Sequence, residues 1–310
     1  MRRIALLLTI LVGTLRLEAA TRAVAITFDD LPDINAADES ISEQEVVTTR
    51  LLASLRRSAV AAIGFVNEDN LSDENEQPDP RRVALIEQWL DGGFEIGNHT
   101  FSHQDLNEVG ADVFERDIVR GETIIRPIVE RRGMKLRWFR HPYLDTGKTL
   151  GDRDRVDAFL KERGYRVAPV TIDNSEWIYE FAYLKAHYFQ RPLIRRSYIR
   201  YMRDRFEFAE SRSRLVFGRE IPQVLLLHAG ALNADAFEKL AAMMRGRGYH
   251  FIGLDDATAD PAYASANSWA GGGVGWLERW GVAGGLPERR FENDPKVPLW
   301  IQRIAGAKDE

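Results

Sequence analysis

His99 and His103 stand four residues apart in GNHTFSH (97–103), in a chain of 310 residues with only 6 histidines and no cysteine. Without thiolates, a metal ion here must be held by imidazole and carboxylate groups. Residues i and i+4 share a face of a helical turn, so the spacing predicts that both rings reach one ion. A carboxylate completes such a set, and TFDD (27–30) offers Asp29 and Asp30. Two histidines and one carboxylate leave room for water and a substrate oxygen, as catalytic zinc requires. The second carboxylate, diverging from the first, is then free to take a proton from a water whose pKa the ion lowers toward ~7.

These residues need elements that bring them together. AVAITF (23–28) reads as a strand ending at Asp29 and Asp30, and FEIG (94–97) as a strand leading into the histidines. KLRWFRHPY (135–143) is a strand running into a loop past Arg140, and the strand closing RVDAFLKERGYRVAPVTID (155–173) ends at Asp173. QVLLLH (223–228) ends at His228, while AAIGFV (61–66) and HFIGLDD (250–256) supply two further strands. Helical patterns lie between them, near 43–58, 81–93, 112–133 (kinked at Pro127) and 233–249; the acidic stretch 67–80 reads as a solvated loop. Alternating strands and helices predict parallel strands with crossover helices, as a barrel or an open sheet. In both, ligands bind at the C-terminal strand ends, where Asp29, Asp30, Arg140, Asp173 and His228 all fall. Arg140 there would keep a free carboxylate ionised. Leu226, two residues before His228, should line the same wall, and an apolar wall beside a proton donor suits a small acyl group.

Residues 1–20 have the basic, apolar, small-residue order of a signal peptide, with an apolar run short for a membrane span. An exported protein, periplasmic or secreted, follows, in preference to one held by an N-terminal anchor; no later stretch approaches a stable membrane span. A net charge of −5 argues against nucleic acid. Residues 21–260 read as one catalytic domain with a long helical, arginine-rich insertion at about 177–214. The Gly- and Trp-rich segment 261–310 reads as a C-terminal extension whose Trp269, Trp276 and Trp280 pack it onto that domain. No GxSxG elbow or nucleotide loop occurs. Non-haem iron oxygenases also use two histidines and a carboxylate, but on a β-rich double sheet. The sequence does not speak to oligomeric state.

TFDD, HTFSH, RHPY, DNSEW and LLLH, in this order, resemble the motifs of the polysaccharide deacetylases, the NodB-homology enzymes of carbohydrate esterase family four, from about residue 23 to 257. The resemblance implies an α/β fold, a distorted (β/α) barrel with fewer than eight strands, and an acetylated glycan as partner. It implies Asp29 as catalytic base; Asp30, His99 and His103 as ligands of a divalent metal, usually Zn2+, with Co2+ or Mn2+ as substitutes; and Arg140 paired with the base. Tyr143 matches the residue whose backbone N–H steadies the oxyanion, His228 the general acid, and Trp177 and Leu226 the residues around the acetyl methyl. The chain departs from the family pattern at Glu176, where an aspartate often orients the acid histidine, leaving that role between Glu176 and Asp173. The implied reaction is hydrolytic N-deacetylation of peptidoglycan or a chitin-like oligomer; an O-acetyl esterase, or a silent glycan-binding module, would carry much the same motifs.

Overall fold

The computed structural model describes residues 22–73 and 75–308, so the segment read as a signal peptide lies outside the described residues. The described residues begin with β1 (Arg22–Leu31), α1 (Ile41–Arg57), β2 (Ala62–Val66), α2 (Pro80–Asp91) and β3 (Glu95–Asn98). Three short helices, α3 (Leu106–Val109), α4 (Ala111–Arg120) and α5 (Ile125–Arg131), precede β4 (Trp138–Phe139), α6 (Leu150–Glu162) and β5 (Arg166–Val167). Then come α7 (Glu176–Lys185), the long α8 (Arg191–Phe217), β6 (Gln223–His228), α9 (Ala231–Gly246), β7 (Tyr249–Ile252) and α10 (Leu254–Thr258). The final stretch carries α11 (Trp276–Ala283) and α12 (Leu299–Ala305).

All strand pairings are parallel, in the order β5-β4-β3-β2-β1-β6, with β7 beside the first half of β1. The sheet curls until the chain after β5 meets β6: Thr171 and Ile172 donate to Val224 O, and Leu226 N–H donates to Ile172 O. The result is a distorted (β/α) barrel. Period-2 alternation sorts its strands. Ala25, Ile63, Phe65, Trp138 and Val224 face inward, plugged from below by Leu254 and Ala257 of α10. Val24, Ile26, Phe28, Leu225 and Leu227 face outward and pack under the helices. The registers Asp29↔His228, Val66↔Asn98 and Asn98↔Phe139 bring the C-terminal strand ends to one rim.

Several local expectations are corrected. The 112–133 helix breaks at Gly121, where a Cβ would lie 2.4 Å from Thr100 C. Pro127, in the first turn of α5, kinks nothing, because its missing N–H has no partner to lose there. The last strand stops at Ile252, and Leu254–Thr258 turn helical. The acidic stretch after β2 is not all solvated: Glu68 is buried and accepts the N–H groups of Ile124 and Ile125, the unsatisfied donors opening α5. The strand expected to end at Asp173 is reduced to β5 and an isolated bridge at Ile172. No described helix is long and apolar enough to cross a membrane.

Candidate active site

Asp29 and Asp30 close β1, and the pairing with β2 slips between Phe28 and Leu31. With Asp30 held at φ 60°, the bulge turns both carboxylates toward the cleft. Adjacent strand residues would otherwise point apart, which is the divergence the sequence suggested. His99 Nε2 lies 3.8 Å from Asp29 Oδ2 and 3.6 Å from Asp30 Oδ1, and His103 Nε2 lies 3.5 Å from Asp30 Oδ1. The two histidines converge as expected, but not on a helix. They belong to an irregular loop after β3 with left-handed Thr100 (φ 67°) and His103 (φ 53°). Asn98 Oδ1 accepts Thr100 N–H, and the Asp117 carboxylate accepts the Ser102 N–H and hydroxyl. Such non-glycine outliers each cost about 1–3 kcal/mol and cluster at functional sites. Asn98, part of an N-x-T sequon, is buried with its amide donating to Ile118 O and Tyr165 Oη, so it is no surface acceptor for a glycan.

His99 Nδ1 lies 2.8 Å from Arg140 O. A carbonyl only accepts, so Nδ1 carries the proton and Nε2 turns a lone pair toward Asp30. Asp30 Oδ1 is buried and accepts no hydrogen bond among the described residues. The His99 Nε2 lone pair faces the Asp30 Oδ1 lone pairs across 3.6 Å and is repelled by them unless a cation lies between, and His103 Nε2 stands 3.5 Å from the same oxygen. Two ligands ~2.1 Å from one ion at a tetrahedral angle lie ~3.4 Å apart. The Asp30, His99 and His103 donor set therefore fits a divalent metal, all three offering atoms within 4.8 Å of one another. Burial lowers the His99 pKa to about 3, so the ring is neutral, as a ligand must be. For Asp30, burial pushes the carboxyl up, but His103, His228 and His99 outweigh it and the pKa is lowered.

Arg140, fully buried, donates from Nη1 to Asp29 Oδ2 (3.2 Å), from Nη2 to Thr27 Oγ1 (3.0 Å) and from Nε to Ala168 O (3.0 Å). Burial raises the Asp29 pKa to about 6, with Arg140 and His228 pulling against it. A carboxylate so tuned suits a base working near neutrality.

Across the cleft, His228 Nδ1 lies 2.8 Å from Glu176 Oε2 while its Nε2 faces Asp30 Oδ2 at 3.9 Å. Burial would depress this imidazole, yet the Glu176 carboxylate lifts its pKa to about 9. Glu176 is gripped in turn by the Asn233 amide and the His228 N–H, and Asn233 is fixed by Tyr198 Oη. Asp173 lines the cleft without a hydrogen bond to His228; its Oδ1 accepts Asn174 N–H. The added methylene of Glu176 spans the distance. Nothing in the sequence marks Asn233, nor the buried Glu180, which accepts the N–H groups of Ala231 and Leu232 just after His228.

Trp177, Leu226 and Tyr143 line the same cavity of about 780 Å³. The exposed Tyr143 ring packs edge-on against His103 at 4.5 Å. Gly272, Gly273, Asp294 and Lys296 of the final stretch and Arg205 of α8 complete the wall. Trp276 and Trp280 are buried, the latter against Phe217 and Tyr263.

Residues 17–167 match the sequence model of a family described as polysaccharide deacetylase. A peptidoglycan-N-acetylglucosamine deacetylase of Bacillus cereus is 28% identical over 154 residues, 50% of this chain and 46% of the relative. The chain thus spans about half the length of that relative. A Bacillus anthracis pseudoenzyme of carbohydrate esterase family four has a TM-score of 0.50 at 15% identity, over 77% of this chain and 66% of that one. A mutant of that pseudoenzyme with restored enzymatic activity gives 0.50 at 17%, over 77% and 68%. At such identities the structures speak for the fold alone. Residues 17–167, just under half of the chain, thus match the polysaccharide deacetylase family, and the distorted barrel is the fold seen in structures of carbohydrate esterase family four.

Proposed function

We propose that this protein is a metal-dependent hydrolase that removes the N-acetyl group from an N-acetylglucosamine-containing glycan, peptidoglycan or a chitin-like oligomer. The observation that carries the reading is the opposition of two proton-handling groups across the Asp30–His99–His103 set. Asp29 is ionisable near pH 6 on one side, and His228 holds its proton to about pH 9 on the other. When bound, a divalent ion, in this reading zinc with cobalt or manganese as substitutes, would polarise the acetyl carbonyl and lower the pKa of water.

Asp29 takes a proton from the attacking water as its oxygen bonds to the carbonyl carbon, and Arg140 keeps that carboxylate ionised beforehand. The Tyr143 N–H donates to the developing oxyanion; the turn itself closes through the Leu144 and Asp145 N–H groups. Trp177 and Leu226 enclose the methyl. His228 then passes its Nε2 proton to the departing nitrogen as the C–N bond breaks, giving acetate and a free amine, while Glu176 steadies the imidazolium. An amine leaves poorly without a proton, so a histidine charged at neutral pH favours amide over ester cleavage. Asp173 takes no direct part. A peptidoglycan substrate agrees with export of the chain after loss of residues 1–20.

The test is acetate release by the zinc-loaded protein from chitin oligomers, peptidoglycan and acetylated xylan side by side. Release from an N-acetylated substrate that is lost on chelation and restored by zinc is expected. Release from xylan alone would make it an O-acetyl esterase, and release from none would make it a silent binder.

A further inference from the structure

Tyr143 and Leu144 are both left-handed, at φ 56° and 58°. Two consecutive non-glycine residues in that region persist only where their surroundings over-determine them. The turn's own bonds, Leu144 N–H to His141 O and Asp145 N–H to Pro142 O, hold one side of it. The other side is held from far along the chain. Arg279 of α11, completely buried, donates from Nη1 to Thr146 Oγ1 at 2.9 Å and from Nη2 to Leu144 O. Its Nε donates to Val274 O at 2.8 Å, and its guanidinium lies 4.1 Å over the Trp276 ring.

Just before it, Gly273 lies so close to Tyr143 that a Cβ would stand 1.8 Å from Tyr143 O. Gly271 N–H donates to Gly147 O at 3.0 Å, and the Asn107 amide to Gly271 O at 2.9 Å, fastening the strap on the far side of the turn. Burial lowers the Arg279 pKa only to about 10, so the group remains a cation at neutral pH. A buried charge is costly. This one is directed at Leu144 O and Thr146 Oγ1 of the turn and at Val274 O of its own segment, bridging the two, rather than paired in a described ion pair. Residues 271–279 also lie beyond the stretch that matches the family model, which ends at 167.

We propose that Arg279 is a positioning residue for the reaction: with Gly273 seated on Tyr143 O, it locks the Pro142–Thr146 turn so that the Tyr143 N–H is held where an oxyanion forms. This rests on the assignment of that N–H under Proposed function. The C-terminal segment is then part of the working site and not merely a cover over it.

The experiment compares Arg279→Gln, Arg279→Lys and Gly273→Ala with wild type in the full-length zinc-loaded protein, below the melting temperature of each. It measures kcat and KM on a chitin oligomer, zinc stoichiometry, and amide hydrogen exchange. Removing one oxyanion donor typically costs 10²–10³ in kcat, and a donor left in place but loosened should cost roughly tenfold or more. Arg279→Gln is expected to lose that in kcat with KM nearly constant and zinc retained, Arg279→Lys to recover part of it, and Gly273→Ala to behave like Arg279→Gln. Exchange should quicken over 142–147 and stay unchanged over 97–103. Trp280→Phe, which perturbs the same segment away from the turn, should lower melting while leaving kcat alone.

Wild-type kcat in both Arg279→Gln and Gly273→Ala, or unchanged exchange at 142–147, would overturn the proposal. A wild type that releases no acetate would instead overturn the Tyr143 assignment, with the exchange data still reporting whether the clamp exists. If Arg279→Gln does not fold, Gly273→Ala carries the same comparison.

Discussion

On the wall built by β1, β3 and β4, the candidate residues sit on or directly after strands and meet one another through single side chains: Asp29 to Arg140, Arg140 O to His99, His99 to Asp30. On the wall built by β6, α7 and the final stretch, each group depends on a chain of supports. His228 is held by Glu176, Glu176 by Asn233, Asn233 by Tyr198, and the wall is finished by Arg205, Asp294 and a glycine strap. The first wall lies within the residues that match the family model and the second almost wholly outside them. Sheet register fixes a few atoms in place with little sequence, whereas a wall of helices and loops needs many residues and leaves more freedom to vary. In the proposed reading the first wall carries the metal ligands and the base, and the second carries the acid, His228.

Breaking the first wall should have the largest effect. Asp30→Ala and His103→Ala are expected to lose both zinc and turnover, while Asp29→Asn keeps zinc and loses roughly 10²–10⁴ in kcat, the usual worth of a positioned base. Metal content and acetate release measured on the same samples separate the two, and an active, zinc-replete Asp30→Ala would remove that ligand from the set.

Breaking the second wall at Glu176 should act through pH. His228 has a folded pKa of about 9, above the ~6.5 of a free imidazole. Its pairing therefore stabilises the protein fully below pH ~6.5, and that contribution fades as pH rises through about 9. Glu176→Gln should move the alkaline limb of kcat/KM to lower pH and flatten the loss of melting temperature over the same window. An unmoved limb would show that another group sets it.

The smallest effect is expected at Trp177, half-buried and ring to ring with Phe181 at 5.5 Å. Trp177→Ala should raise the rate on a propionyl analogue relative to acetyl by about tenfold, the scale of one methylene in an apolar pocket. An unchanged acyl preference would remove Trp177 from around the methyl.

The same contrast explains what could be read from the sequence. Strand ends announce themselves, because an apolar run that stops at Asp29, at His99 or at His228 has a side-chain direction set by period 2. Leu226 was legible for that reason. The Asp29–Asp30 bulge was not, since it comes from a slip against β2 and a left-handed Asp30 that no local pattern marks. The convergence of His99 and His103 followed from spacing, but their loop depends on Asn98, Asp117 and a close approach of Gly121 to Thr100. Asn233, Glu180 and Arg279 were invisible because each acts across more than fifty residues of chain on a partner chosen only by folding. Glu68 was misread because a carboxylate in an acidic stretch looks solvated until the open N-terminus of α5 is packed onto it.

The most direct test of the account is a zinc-soaked crystal of the full-length protein examined by anomalous diffraction at the zinc edge. The account predicts one strong peak on the first wall, about 2.0–2.2 Å from an Asp30 oxygen and from the Nε2 atoms of His99 and His103. A peak elsewhere, or a fully zinc-exposed crystal with none at that place, would contradict it.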